Sequence, residues 1–221
     1  MNKQKIIILT LLLITIISIS KTYAIVNGYD LLGKVIYLDP GHGGIDSGTT
    51  YKNILEKDIN LILSKKLEKE LSSYGATVYL TRNTDKDLSL TKINRKRSDL
   101  INRAYLINKT KPDMYISIHL NYISNPKWKG LQIFYTNKNK ENKNIATKLT
   151  TYLKEKTTNI KEPKQDNTYY MYKNITSPGI LIEAGFLSNP DDRYRLTHEE
   201  YQDKLIKNIT YSIIKYFEEK D

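Results

Sequence analysis

The sequence predicts a single α/β domain preceded by an export leader. Short apolar runs with strand character alternate with longer stretches whose apolar residues recur at helical spacing. No internal repeat and no long Gly/Ser/Pro linker divides the 221 residues, a length that suits one domain. The composition, 39% hydrophobic and 27% charged, is that of an ordinary globular protein.

The elements follow in order. Lys3 and Lys5 precede an apolar run from Ile6 to Ile17 interrupted only by threonine, and Ser18 to Ala24 is more polar. Thr22 and Ala24 are placed like the −3 and −1 residues of a cleavage site, so residues 1–24 read as a secretory signal peptide. The run is shorter than the roughly 20 residues a spanning helix needs. The alternative is an uncleaved N-terminal anchor, since Ile19 extends the run. Either reading exports the chain. A buried helix is disfavoured because the run is apolar on all sides.

Val35 to Leu38 is a continuous apolar run ended by Asp-Pro-Gly, the pattern of a buried strand. From Glu56 to Tyr74 a stripe of Ile59, Ile62, Leu63, Leu67 and Leu71 predicts a helix that stops at Gly75. Thr77 to Thr81 is a short strand. Leu90 to Asn108 reads as a helix through Ile93, Leu100, Ile101, Ala104 and Ile107, ended near Pro112. Met114 to Ile118 and Gly130 to Thr136 are strands, Ile145 to Leu153 lies in a basic helix, and Ile180 to Ile182 is again a buried strand. Thr197-His-Glu-Glu200 has the form of a capping box opening a last helix that runs to about Phe217. Lys161 to Thr176, with Tyr169, Tyr170 and Tyr172, is compatible with a short strand or a surface loop.

Cysteine is absent, which excludes disulfides and any thiol nucleophile or ligand. The formal net charge is +11. Lys3, Lys5 and Lys21 carry three of these charges with no acid beside them, which leaves +8 on residues 25–221. Nucleic acid is the usual partner of a basic protein, but export argues against it. An anionic cell wall or membrane surface fits better; a merely solvated basic surface is the competing reading.

Three histidines occur, and two of them end apolar runs. His42 lies in Val35-Ile-Tyr-Leu-Asp-Pro-Gly-His-Gly-Gly44 and His119 in Met114-Tyr-Ile-Ser-Ile-His-Leu-Asn121. Glu56 opens a helix, and Glu183 ends Gly179-Ile-Leu-Ile-Glu183. Functional groups of α/β folds gather beyond the carboxyl ends of strands, so these four residues, 14, 63 and 64 positions apart in turn, can meet at one sheet edge. Two imidazoles and one carboxylate make a three-ligand zinc site, and a further carboxylate can take a proton from water. The spacing alone does not select this reading, because no His-x-x-x-His pair is present. Gly41, Gly43 and Gly44 also suit a tight turn. Their likeness to a phosphate loop fails for want of Gly-x-Gly-x-x-Gly and of a Walker lysine. His198 reads as a surface helix residue.

Four blocks narrow the choice. Leu38-Asp-Pro-Gly-His-Gly-Gly44, Leu55-Glu-Lys-Asp58, Ser117-Ile-His-Leu-Asn121 and Ile182-Glu-Ala-Gly-Phe-Leu-Ser-Asn189 resemble, in order, the signature blocks of the zinc-dependent N-acetylmuramoyl-L-alanine amidases of the Amidase_3 family. Thr81-Arg82 and the stretch Arg103 to Asn108 match its patterns too. Pro126-Lys-Trp-Lys-Gly130 is similar to the sporulation and germination members, the CwlD type.

The resemblance implies that residues 25–221 form a zinc amidase catalytic domain with a twisted, mixed, mostly parallel sheet flanked by helices. It implies Zn²⁺ held by His42, Glu56 and His119, with Glu183 as general base and acid. The reaction implied is hydrolysis of the amide between N-acetylmuramic acid and L-alanine in peptidoglycan, in spore cortex for the CwlD type. Asp39 or Asn121 could orient a ligand histidine, or simply hydrogen-bond within its loop. About ten residues separate Phe134 from Ile145, which leaves no room for the site-plugging helix of some members. Control would then come from timed expression or from a protein activator or membrane-linked partner. The location implied is extracytoplasmic: cell wall, membrane or the space between spore membranes. Two other readings stay open, a catalytically silent wall-binding scaffold of the same fold and a zinc peptidase acting on the stem peptide.

Overall fold

The computed structural model describes residues 2–26 and 28–220. Helix α1 (Lys3–Val26) comes first; at about 1.5 Å per residue it is ~36 Å long. Its Lys3–Ser20 window has mean hydropathy 1.8 and is wholly exposed, so the helix is long and apolar enough to cross a membrane, a test that a signal sequence also passes. Then follow β1 (Val35–Pro40), the hairpin β2 (Thr50–Tyr51) and β3 (Ile54–Leu55), α2 (Glu56–Ser73), β4 (Thr77–Leu80), α3 (Arg95–Thr110), β5 (Met114–Asn121) and β6 (Gln132–Tyr135). The chain continues through α4 (Glu141–Lys156), β7 (Lys164–Gln165), a 3-10 turn at Tyr172–Asn174, β8 (Gly179–Phe186), α5 (Pro190–Leu196) and α6 (Glu199–Lys220).

One sheet carries the order β4-β1-β5-β8-β6-β7. β4, β1, β5 and β8 are parallel, β6 runs antiparallel to β8, and β7 pairs parallel with β6. The sheet is mixed and mostly parallel, as the resemblance implies. The continuous apolar runs have their cause here: β1, β5 and β8 are central and covered on both faces.

Alternation along the strands then sorts every side chain. Ile36, Leu38, Met114, Ile116, Ile180 and Ile182 point into the larger core, which α2, α4 and α6 close with Leu63, Leu67, Leu149 and Ile213. Tyr37, Tyr115 and Leu181 point the other way, into a smaller core with Ala104 and Ile107 of α3 and with Met171, Tyr172 and Ile175. The same parity carries Asp39, Ser117, His119 and Glu183 onto the α3 side. That places the chemistry between the sheet and α3.

Three local expectations are corrected. α3 begins at Arg95, and Leu90 and Ile93, 83% and 81% exposed, lie outside it. The segment before the helix is held by polar groups: the Leu88 N–H donates to Asp99 Oδ1 at 2.6 Å and Asn102 Nδ2 donates to the Leu88 carbonyl at 2.7 Å. Thr197 does not open α6. Its hydroxyl donates to the Arg193 and Tyr194 carbonyls at 3.0 and 2.9 Å, closing α5 instead. Glu183 is inside β8, which runs on to Phe186.

Candidate metal centre

The first strand and its loop build one half of the centre. After Pro40 the backbone turns through His42 at φ 62°, a conformation a side chain adopts only when its surroundings enforce it. Two buried arginines enforce it here. Arg82 donates through Nε to the Pro40 carbonyl (2.9 Å) and through Nη2 to the carbonyls of Gly41 (2.9 Å) and Lys57 (2.8 Å). Arg103 donates to the carbonyls of Pro40 (2.7 Å) and His42 (2.6 Å). Its charge is balanced by Asp39 and Asp99, each at 2.8 Å. Burial alone would raise the Asp39 carboxyl. Arg103, Ser117 and Thr81 outweigh it and hold that carboxyl below its ordinary value. The signal for both arginines was in the sequence, but as residues matching a pattern and not as a clamp under the histidine loop.

The second half comes from α2 and β5. Hairpin β2–β3 delivers Glu56 to the first turn of α2, where the helix dipole favours an anion. Its Oε2 accepts from the Thr49 N–H at 2.7 Å, and its Oε1 from the Leu120 N–H at 3.0 Å and from Asn60 Nδ2 at 3.3 Å. The same Oε1 lies 3.2 Å from His42 Nε2 and 3.1 Å from His119 Nδ1. Burial pushes this carboxyl up, but His119 and His42 together hold it well below the carboxylate range. The imidazoles meet edge to face with centroids 5.0 Å apart.

One donor atom from each of His42, Glu56 and His119 lies within 4.8 Å of the others. The donor set, two nitrogens and one oxygen, is of the kind that zinc accepts. The space around it is made by missing side chains. A Cβ on Gly41 would come 2.2 Å from the His119 ring, and one on Gly48 would come 2.6 Å from both Glu56 Oε2 and the His42 ring. On these grounds the residues fit a metal ion.

His42 is oriented by a residue that the sequence reading did not single out. Its Nδ1 lies 3.0 Å from Asp46 Oδ2, leaving Nε2 for the cluster. Burial works against charge on this imidazole, yet Asp46 and Glu56 raise its pKa to about 9. Asp39, one of the two residues considered for orienting a histidine, serves the arginine clamp through Thr81, Ser117 and Arg103 instead. Asn121 lines the cleft.

Glu183 stands apart from the three donors within the same cleft of about 330 Å³. It is 6% exposed, and its Oε2 has no hydrogen-bond partner among the described residues. Burial, helped by Glu56 and opposed by His42, pushes its carboxyl up to about 8. The aromatic loop that the sequence left ambiguous forms the far wall: Tyr169 and Tyr170 line the cleft, and buried Tyr172 donates to Ser117 Oγ at 2.9 Å.

A histidine–carboxylate cluster beside a second, buried carboxylate, at the edge of an α/β sheet, is the kind of site a hydrolytic enzyme uses. The chain belongs to the Amidase_3 family of N-acetylmuramoyl-L-alanine amidases, whose family model matches residues 36–215, and it is an enzyme of that class. It is 43% identical over 195 residues to the germination-specific N-acetylmuramoyl-L-alanine amidase of Bacillus subtilis (strain 168), covering 86% of this chain and 82% of that one. Among solved structures it resembles the CwlD amidase from Clostridioides difficile in complex with the GerS lipoprotein (TM-score 0.77, 34% identity, 84% of this chain and 99% of that one). It also resembles an N-acetylmuramoyl-L-alanine amidase from Clostridium difficile 630 (TM-score 0.75, 32% identity, 85% and 98%).

Proposed function

We propose that this protein hydrolyses the amide between N-acetylmuramic acid and L-alanine in peptidoglycan, with spore cortex as its substrate, and that His42, Glu56 and His119 hold Zn²⁺ for the reaction. The observation that carries this reading is the three-donor cluster with Glu183 in the same cleft. When bound, zinc polarises the scissile carbonyl and lowers the pKa of water toward ~7. Glu183 accepts the proton from the attacking water and returns it to the leaving L-alanine nitrogen. Its Oε2, buried and without a hydrogen-bond partner among the described residues, is free to take that proton. Asp46 keeps His42 in the tautomer that presents Nε2, and Arg82 and Arg103 hold the loop on which His42 sits.

The spore-cortex reading is supported by the likeness to a germination-specific amidase. We further propose that residues 1–24 act as a signal peptide or anchor, which the wholly exposed apolar helix supports, and that the domain works outside the cytoplasm. The C. difficile relative was solved with a lipoprotein, which supports a membrane-linked protein partner for this chain.

Purified protein incubated with isolated cortex and with vegetative wall, with and without added Zn²⁺, tests the reaction. Mass spectrometry should find free stem peptides beginning with L-alanine, released from cortex in a zinc-dependent way. Cleavage within the stem peptide, or no cleavage of either wall, would overturn the assignment.

A further inference from the structure

The metal-site cleft does not end at the cluster. Lys96, Leu100 and Tyr170 line it on the α3 side, and the same three residues, with Asn94, Arg95 and Arg97, line a second depression. The two therefore adjoin each other, and the second lies over the start of α3.

The cations in this groove are not equally committed. Arg95 is matched, its guanidinium 2.7 Å from Asp87. Lys96 has a 70% exposed side chain and lies 3.5 Å from Asp46, a carboxylate already bonded to His42 at 3.0 Å. Arg97 has no carboxylate partner among the described residues; its Nε donates to the Tyr170 hydroxyl at 2.9 Å, with the guanidinium 5.2 Å from that ring. Tyr170 thus fixes the guanidinium in place while leaving its charge available, and a fixed planar fork suits a carboxylate. The lining contributed by Thr49, Asn121 and Tyr122 carries no charge, and Tyr122 is 51% exposed.

The two arms of the proposed substrate differ in the same way. The muramic acid carboxyl is consumed in the scissile amide, so the N-acetylated sugar arm is neutral. The peptide arm retains free carboxylates. Charge complementarity therefore orients the substrate. We propose that the groove across the start of α3 is the subsite for the acidic peptide arm, with Lys96 and Arg97 as its carboxylate-binding residues, while the glycan lies toward Tyr122. This rests on the amidase reading and adds a direction and a specificity to it.

The test uses two soluble disaccharide-peptides that differ only in whether the α-carboxylate of the second peptide residue is free or amidated. Wild-type protein should favour the free acid by about tenfold in kcat/KM, chiefly through KM. K96Q/R97Q should lose that preference, the KM for the free acid rising to that for the amide. K109Q, at the far end of α3, should keep the preference. Equal kcat/KM for the two substrates in wild type, or an unchanged preference in K96Q/R97Q, would overturn the subsite. The amidase reading fails separately, if wild type releases no L-alanyl peptide from either substrate. Direct binding of the acid and amide forms to E183Q then still decides the subsite, with weaker binding of the amide expected and equal binding overturning it.

Discussion

His119 and Glu183 are register partners on neighbouring parallel strands, β5 and β8. Their backbones are tied by the sheet ladder, so the distance between the His119 imidazole and the Glu183 carboxyl is set by strand pairing and not by loops. The register shifts only past His119, before Asn121. Both side chains fall on the α3 face because they share parity with Tyr115 and Leu181. Replacing Glu183 with Gln preserves shape and removes the proton site. E183Q should lose at least about 100-fold in kcat while metal content, read by elemental analysis, stays at one equivalent. Normal release of L-alanyl peptides by E183Q would refute the role.

The same carboxyl makes a pH signature in the metal-free protein. Its folded pKa is raised to about 8 from an ordinary 4.5, so the folded state binds the proton more tightly than the unfolded state. That contribution is fully present below pH 4.5 and is lost as pH rises through 8. Metal-free E183Q should therefore gain stability over metal-free wild type as pH rises from 5 to 8, by an amount on the order of a few kcal/mol at the upper end, and its Tm should rise accordingly. Differential scanning calorimetry at several pH values measures it; a Tm difference independent of pH would contradict the buried, proton-holding state.

In the proposed zinc site Asp46 acts through His42, whose Nδ1 lies 3.0 Å from its carboxylate. Without it the His42 tautomer and ring angle lose their anchor, and the orienting carboxylate of a ligand histidine commonly contributes 10- to 100-fold in metal affinity, as a rough range. Asp46→Ala should weaken zinc affinity by about that factor in competition with a chromophoric chelator, with secondary structure unchanged.

Arg103 is a structural charge. Removing it strands Asp39 and Asp99, which are 1% and 5% exposed, and frees the carbonyls of Pro40 and His42. Arg103→Met should cost about 3–5 kcal/mol in urea unfolding and release the strained φ at His42. Lysine, which lacks the planar fork, should recover only part of this.

Strands β1, β4, β5, β6 and β8, and with them His42, His119 and Glu183, were legible because they lie in, or just beyond, apolar runs bounded by glycine or proline; Glu56 was legible as the start of a helix, and β2, β3 and β7, two residues each, are too short to show a period. Helix α2 was legible because Ile59, Leu63, Leu67 and Leu71 keep a regular apolar stripe along the side it buries. The start of α3 was misplaced, because the segment before Arg95 is held by Asp99 and Asn102 and the helix buries Asp99 and Arg103 beside Ala104 and Ile107, charges that an apolar count treats as solvent-facing. Asp46 escaped for another reason. It sits in a turn without period, and only the fold shows that the turn closes on His42. Tyr169, Tyr170 and Tyr172 looked alike in sequence, yet the 3-10 turn sends Tyr172 under the sheet and leaves its neighbours on the cleft wall.

The parallel direction of β1 has a practical outcome for handling this protein. The chain joins the core by Leu31, which is fully buried, β1 begins at Val35 and the His42 loop leaves at Gly41, so the strand puts about 20 Å of rigid scaffold between the end of the sheet where the chain arrives and the cleft. Coupling the N-terminus to a bead or surface would present the cleft outward. An immobilised form should therefore digest insoluble wall fragments as well as soluble ones, whereas coupling through lysines would scatter orientations and place some contacts at Lys96 itself.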